Sequence, residues 1–573
     1  MTPKRRNFRM TFAVAVVLLL AAAVLLTGVL GNFQGVRADL TSDRLYTMSP
    51  SAKKILGELK APVQVKFYIT GAEDMPTELK TLERDVSDKL HDYSRASDGM
   101  IEYSVHNPQD DEELQTSLSS RGVRPFQVQS IEKDERSIKL IWSAMTIAYK
   151  DYPEEVLPQV LPQSLISLEY ELLSRVYRLT QERQPKVALV APLQEVDQQV
   201  AMMYLQQGMQ PPEPQDIYTT ATQLFEQEHY LVERIDLTAG SRIPEDADVL
   251  VVLNPVDFNE RQAFEINRAL SNGMNTIIAV QTHEYGYQPG MRDAYSISGI
   301  PQTSGLEKML AGLGLTVSTD HLMDSSCQVL NVPRTQNIGG MRFQTNEPVR
   351  LPIQIQVTDT QMNPDAAISN RIGTLLYLWG SALEFDETVL AEHELARTDL
   401  FTSSAQTWTE PFAAGVMAGS LFQPEGKELS PRLPLAVEVR GRFPDAFDGA
   451  EPPAWPDAGA QDEDAGGPAS ADPVAPLLRE EARLVLVGCA KMFDDMALQA
   501  GHNSLFLLNA VDGLVHGEDL ISIRSKILTQ RVIRPVSDGE KVVFRLLTVA
   551  LIPVLLVVFG LMRASNRRKE AAR

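Results

Sequence analysis

Two uncharged apolar runs bracket the chain. Residues 10–30 read MTFAVAVVLLLAAAVLLTGVL, and a helix of that length rises ~31 Å, enough to cross the hydrocarbon core of a bilayer. A cleaved signal peptide is the rival reading. The run exceeds the usual signal-peptide core of about 7–15 residues, and Val36-Arg37-Ala38 is a poor cleavage site, so an uncleaved anchor is expected. The second run, LLTVALIPVLLVVFGLM at 546–562, is flanked by Arg545 and Arg563, which can snorkel to the interfaces. Its Pro553 is tolerated in a membrane helix when the freed carbonyl finds another partner. A buried core helix is the alternative for this run.

Between the runs the pattern is that of globular protein. Ser49 reads as an N-cap with Pro50 at the first helical position, followed by an apolar face of Ile55, Leu56 and Leu59. Residues 63–69 alternate like a strand, and Leu79, Leu82, Val86, Leu90 and Tyr93 recur at helical spacing. Strands are expected at 100–105 and 138–149. Pro153, Pro158 and Pro162 then mark a break before a helix at 165–178. This order resembles a thioredoxin-like arrangement without redox cysteines. From Pro185 the pattern changes to short apolar runs alternating with helices: strands at 186–191, 230–235, 247–253, 276–280 and 484–488, and helices at 221–228, 260–270 and 503–515. Asn272-Gly273 reads as a helix C-cap. That alternation predicts a doubly wound α/β sheet.

Residues 444–476 are rich in Pro, Gly, Ala and Asp and nearly devoid of large apolar side chains, so a disordered insertion is expected there. The expected organisation is then a basic tail (1–9), a first transmembrane helix (10–30), a juxtamembrane segment (31–61), a first α/β domain (62–182), a second (183–540), a second transmembrane helix (541–562) and a basic tail (563–573).

Charge sharpens this picture. The chain carries −22, yet Lys4, Arg5, Arg6 and Arg9 precede the first run, and Arg563, Arg567, Arg568, Lys569 and Arg573 follow the last. The positive-inside rule then places both termini in the cytoplasm and residues 37–540 outside a bacterial cytoplasmic (inner) membrane, in the periplasm or beyond. An anionic body is repelled by phosphate backbones, so no nucleic-acid partner is expected. Cys327 and Cys489 are the only cysteines and neither belongs to a CxxC pair. Two separate buried thiols are the expected state, with one long-range disulfide as the alternative.

Motifs that carry chemistry are missing. Gly426-Lys427-Glu428 lacks the preceding glycine and the hydroxyl of a phosphate-binding loop, and no GxGxxG is present. His393-Glu394 and His283-Glu284 begin like HExxH, but Arg397 and Tyr287 stand where the second histidine is needed. Cys489 follows a strand in VLVGCAKMF, where a nucleophile elbow would expose it, but Lys491 occupies the position that needs a small residue. His502 is the nearest histidine in sequence. Asp494-Asp495 reads as a solvated helix start in preference to a cation site. Tyr285-Gly286-Tyr287 and Gly339-Gly340 read as plain connections, with recognition loops as the alternative. No catalytic, cofactor or metal residue is assigned.

The segment order resembles the auxiliary membrane component of gliding-motility-type ABC transport systems. The likeness is carried in order by LTSDRLYTMSPSAKKILGELKAPVQVKFYIT, LHDYSRASDGMIEYSVHNP, DADVLVVLNPVDFNERQAFEINRALSNGMNTIIAV, LEKMLAGLGLTV, LFTSSAQTW, LPLAVEVRGRF and NSLFLLNAVDGLVHGEDLISIRSK. His106-Asn107-Pro108 departs from the usual Asp-Pro, and Asn272-Gly273 keeps one of two usual glycines. The resemblance implies a second domain like a class I glutamine amidotransferase or a flavodoxin, without its catalytic residues. It also implies a non-catalytic subunit whose partners are an ABC permease, a P-loop ATPase, the lipid bilayer and a cell-envelope or exported protein ligand. An exported hydrolase using Cys489 and a stand-alone envelope scaffold are the alternatives.

Overall fold

The computed structural model describes residues 47–525, apart from 133–134, 182, 195, 197, 289–295, 339–340, 448–450 and 456–477, together with 539, 541 and 560. Thr529–Arg573 forms a separate unit, and everything below concerns the first, Met1–Leu528.

The first lobe is built on the strand Val63–Ile69, whose alternating side chains are buried on one face at Val63, Val65 and Phe67. It pairs in parallel with Ile101–His106 and antiparallel with Ser143–Tyr149, which in turn pairs with Glu155–Leu157. The parallel pair needs a crossover, supplied by the helix Leu82–Ala96. That helix buries Leu82, Val86, Leu90 and Tyr93, the side chains its periodicity selects. Ser49 caps the helix Pro50–Gly57, its Oγ accepting from the Ala52 N–H at 3.0 Å. The single strand expected at 138–149 is two. Trp142 leaves the ladder to exchange hydrogen bonds with Thr70, and Glu135–Ile141 pairs instead with Phe126–Glu132 as a separate ribbon.

The second lobe holds a seven-stranded sheet in the order Ala396–Thr402, Pro434–Gly441, Ala482–Val487, Asn275–Ala279, Val249–Leu253, Lys186–Val190, Leu231–Arg234. The last five are mutually parallel. Lys186–Val190 pairs with both Leu231–Arg234 and Val249–Leu253, so the winding reverses there. Both faces are covered at the centre of the sheet, which is why strands such as Val249–Leu253 and Lys186–Val190 read as unbroken apolar runs. Val187, Leu189, Val251, Ile277 and Val485 join one core with Phe506 and Val511 of the helix Asn503–Val515. Ala188, Leu250, Val252, Ile278 and Leu484 join another with Ile266 and Leu270 of the helix Glu260–Ser271. Asn259 and Gln262 form a capping box at the start of that helix. Gly273 ends it at φ +97°, where a Cβ would lie 2.7 Å from the Glu480 Cβ.

Between Asn275–Ala279 and Pro434–Gly441 the chain makes a β-rich layer that the apolar pattern does not announce. Its strands include His283–Gln288 with Ser296–Pro301, His321–Asp324 with Thr407–Glu410, and the long ribbon Cys327–Ile338 with Met341–Val357. It has its own core around Tyr285, Met323, Ile353 and Trp408. The stretch expected as a disordered insertion starts with ordered residues: Phe447 packs edge-on against Phe264 at 5.4 Å, and Arg261 lies over Trp455 at 4.9 Å. Residues 456–476 lie outside the described residues.

The flanking membrane helices are corrected. Among the described residues no helix is long and apolar enough to cross a membrane. The longest, Leu82–Ala96, has 15 residues and one buried face, and rises ~22 Å where a span needs about 30 Å. Neither terminal spans nor the inner-membrane placement derived from them is supported, and the architecture stands as mixed α/β with many sheets. The runs at 10–30 and 546–562 lie outside the described residues, save residue 560.

Candidate functional site

The polar positions of the helix Asn503–Val515 lead to the site. This helix is buried on nearly every side, so its Asn503, Asn509 and Asp512 must find partners inside the protein. Asn503 clamps the backbone of Leu376 and Met492. Asn509 and Asp512 receive Arg524, which is 5% exposed. Arg524 Nη1 donates to Asn509 Oδ1 at 2.7 Å and Nη2 to Asp512 Oδ2 at 2.5 Å. Nη2 also donates to the Tyr170 hydroxyl, and the guanidinium lies over the Tyr170 ring at 4.8 Å. The Tyr230 hydroxyl donates to the other Asp512 oxygen at 2.6 Å. Burial alone would lower the Arg524 pKa; Asp512, Tyr170 and Glu228 together outweigh that, and the net shift is upward.

This cluster joins the lobes. Tyr170 belongs to the first-lobe helix Leu168–Thr180, Asp512 and Tyr230 belong to the second lobe, and Arg524 comes from the helix Glu518–Ser525. That last helix divides its apolar side chains: Leu520 and Ile523 enter the first-lobe core, Ile521 the second. Its acids divide likewise, Asp519 to Lys54 at 2.7 Å and Glu518 to Arg440 at 3.0 Å. Arg178 to Glu228 at 3.0 Å and His229 to Glu155 at 3.0 Å add further links between the lobes.

Beside the junction lies an open cleft of about 1060 Å³. Its walls come from the end of the helix Pro50–Gly57, the Tyr149–Tyr152 turn, the end of Leu168–Thr180, the linker carrying Arg183, and Asp248, Val515 and His516. The His516 ring meets Tyr177 edge-on at 5.1 Å and Tyr230 at 5.7 Å, one contact from the Asp512 carboxylate. Burial lowers the His516 pKa.

The residues singled out by motif do not converge on a reaction centre. Cys489 is fully buried, its Sγ donates to the Leu378 carbonyl at 3.1 Å, and burial pushes the thiol up to about 12. Cys327 is a second, separate buried thiol. His502 sits instead against the Thr374 carbonyl, 3.3 Å from its Nδ1. Asp494 caps the helix Asp495–Gln499, and Asp495 accepts from the Thr219 hydroxyl and the Thr220 N–H, both at 2.6 Å. Both acids fasten helix starts. Lys427 pairs with Glu410 at 2.5 Å. His393 follows the helix Glu387–Glu392 as its C-cap, with Glu394 next to it at φ 53°.

Tyr285 is a buried strand residue whose hydroxyl bonds His321 Nδ1 at 2.7 Å, not part of an exposed loop. His283 is equally buried, stacked on Phe412 at 4.7 Å, with Thr282 Oγ1 2.9 Å from its Nδ1. Gly339-Gly340 lies outside the described residues. Among the described residues no group of three or more His, Cys, Asp or Glu could hold a metal ion.

A family model described as an ABC-type uncharacterized transport system matches residues 184–511, more than half of the chain. The chain belongs to that family. A second model, of a domain of unknown function, matches residues 42–148. The transport-system match therefore spans the second lobe up to Val511, and ends one residue before Asp512. A relative from Borreliella burgdorferi, described as an uncharacterized protein, is 21% identical over 553 residues, covering 93% of this chain and 94% of its own. Among solved structures, an mmIFT52 N-terminal domain aligns with 57% of this chain and 96% of its own at 11% identity and TM-score 0.28. A ThuA-like protein from Bacteroides uniformis aligns with 59% of this chain and 93% of its own at 8% identity and TM-score 0.27. Neither score carries an argument about this family member.

Two outcomes follow from the buried groups. Replacing Arg524 by Met leaves the Asp512 carboxylate buried without its cation, and is expected to cost about 3–5 kcal/mol of stability in urea unfolding; a loss under about 1 kcal/mol would contradict the junction. Burial and the neighbouring His321 lower the His283 pKa from 6.5 to about 4. The unfolded chain therefore binds the extra proton between those values, and stability falls as pH drops through that window. His283→Gln should remove part of this loss, at most about 1.4 kcal/mol per pH unit. Urea midpoints of both proteins near neutral and mildly acid pH check it; an equal acid loss in both would contradict the assignment.

Proposed function

We propose that this protein is a non-catalytic auxiliary subunit of an ABC-type transport system, which docks on a permease and relays the work of a separate P-loop ATPase. The observation that carries this is the family match over residues 184–511, which covers nearly the whole second lobe. Two features support a non-catalytic role. The sequence has no phosphate-binding loop of its own. The one residue placed like a nucleophile, Cys489, holds a proton at neutral pH because burial pushes its thiol to about 12, and it has no exposed face.

The relay rests on the junction. A partner that touches one lobe meets a body tied to the other through the helix Glu518–Ser525, so force or a population shift imposed on one lobe reaches the second. Purification through a tag on the chain should recover a multi-span permease and an ATPase in fixed proportion. Transport by the assembly should be unchanged by Cys489→Ala. Recovery of the chain alone from extracts with an intact permease, or loss of transport in the Cys489 variant at wild-type expression, would overturn the proposal.

A further inference from the structure

The cleft between the lobes is a candidate ligand site. Arg183 and Asp248 cancel each other in a bidentate pair, at 2.8 Å for one of its two contacts. That leaves Lys60 and Lys150 against Glu58. Three helices, Pro50–Gly57, Leu168–Thr180 and Asn503–Val515, end at this cleft. Their C-termini present the negative ends of three dipoles, which offset the surplus lysine charge. A polyanion would meet those carbonyl ends, Glu58 and Asp248; a polyamine would meet Lys60, Lys150 and Arg183. The cleft selects neither sign.

Its aromatic surface is specific. Tyr149 and Tyr152 lie 6.3 Å apart with their planes 12° from parallel, on a turn whose Lys150 adopts φ 51°. The Lys150 ammonium sits 4.9 Å over the Tyr149 ring. Tyr177 is held edge-on by His516. Tyr152 lines the cleft and is 46% exposed, so part of this aromatic side chain remains open to a ligand. Around it the cleft offers donors and acceptors together: Lys60, Glu58, Thr180, Gln181 and the tyrosine hydroxyls. A volume of about 1060 Å³ exceeds what a single ring fills, since about 300–1,000 Å³ encloses drug-sized molecules.

We propose that this cleft binds a neutral, hydroxyl-rich short oligosaccharide, with a sugar face on Tyr152 and its hydroxyls shared among Lys60, Glu58 and Gln181. Neutral polyols suit a site of balanced charge, and ring faces suit flat aromatic platforms. Because both lobes line the cleft, an occupied site bears on the junction through Tyr177, His516 and Tyr230.

The test is calorimetric titration of the full chain with neutral trisaccharides of glucose, mannose, galactose and N-acetylglucosamine, with spermine and hexaglutamate as charged controls. At least one trisaccharide should bind saturably, one to one. Tyr152→Ala should weaken that binding about tenfold, equivalent to about 1.4 kcal/mol, with an unchanged melting temperature, since Tyr152 is an exposed turn residue. Absence of binding by all the trisaccharides, tighter binding of either charged control, or wild-type affinity in Tyr152→Ala would overturn the proposal. A negative result leaves co-purification with the permease unaffected, and failed co-purification leaves the titration unaffected.

Discussion

Among the contacts that tie the two lobes is a guanidinium buried between them. Arg524 satisfies Asp512 and Asn509 of one lobe and Tyr170 of the other, and Arg524, Asp512 and Asn509 are all buried. A buried pair of this kind adds little net stability over an apolar contact, but it is costly to break and demanding of geometry. Its value here is placement. The helix that carries it can put Leu520 and Ile523 into one core and Ile521 into the other only at one setting of the lobes.

Placement gives the function its physical content. In the role proposed above, a subunit without ATP chemistry of its own has only binding energy and shape to work with. Two lobes fixed at a junction transmit displacement; two lobes on a loose tether would absorb it. The cleft borders that junction, and its aromatic wall reaches the Asp512 carboxylate through His516 and Tyr230. A ligand there and a partner elsewhere could bias the same equilibrium.

Much of the α/β framework was legible in the sequence, for identifiable reasons. The strand Val249–Leu253 and its parallel neighbours are buried on both faces, so their apolar runs are continuous. Asn259 with Gln262 and Ser49 with Pro50 announce their helices through capping chemistry. The β-rich layer between 283 and 416 was not legible, because part of it pairs across long separations, as His321–Asp324 does with Thr407–Glu410. Its buried Asp324, for example, is satisfied by Ser326, Ser404 and Thr407, a set with no local signature. The split at Trp142 was hidden because apolar residues continue through it. The membrane helices were read from the length of two apolar runs and the basic residues beside them, and no described helix supports them.

The junction was overlooked because Arg524 looks like an ordinary basic residue in the last turn of a helix. The available signal was on its partner: beyond the polar start at Asn503-Ser504, Asn509 and Asp512 stand three apart on a largely apolar helix, and such residues require a buried counterpart. Cys489 drew attention by its place after a strand, where local sequence cannot reveal that Gly380, Tyr377 and Leu378 close over it.

The central claim, that the lobes open as one unit, is tested most directly by native-state hydrogen exchange of the intact chain in rising urea. The amides of Val63–Ile69 in the first sheet and of Val249–Leu253 in the second are the reporters. The account predicts that both sets exchange through one opening, with the same free energy and the same urea dependence. Exchange of the first sheet at a lower free energy, while the second stays protected, would contradict it.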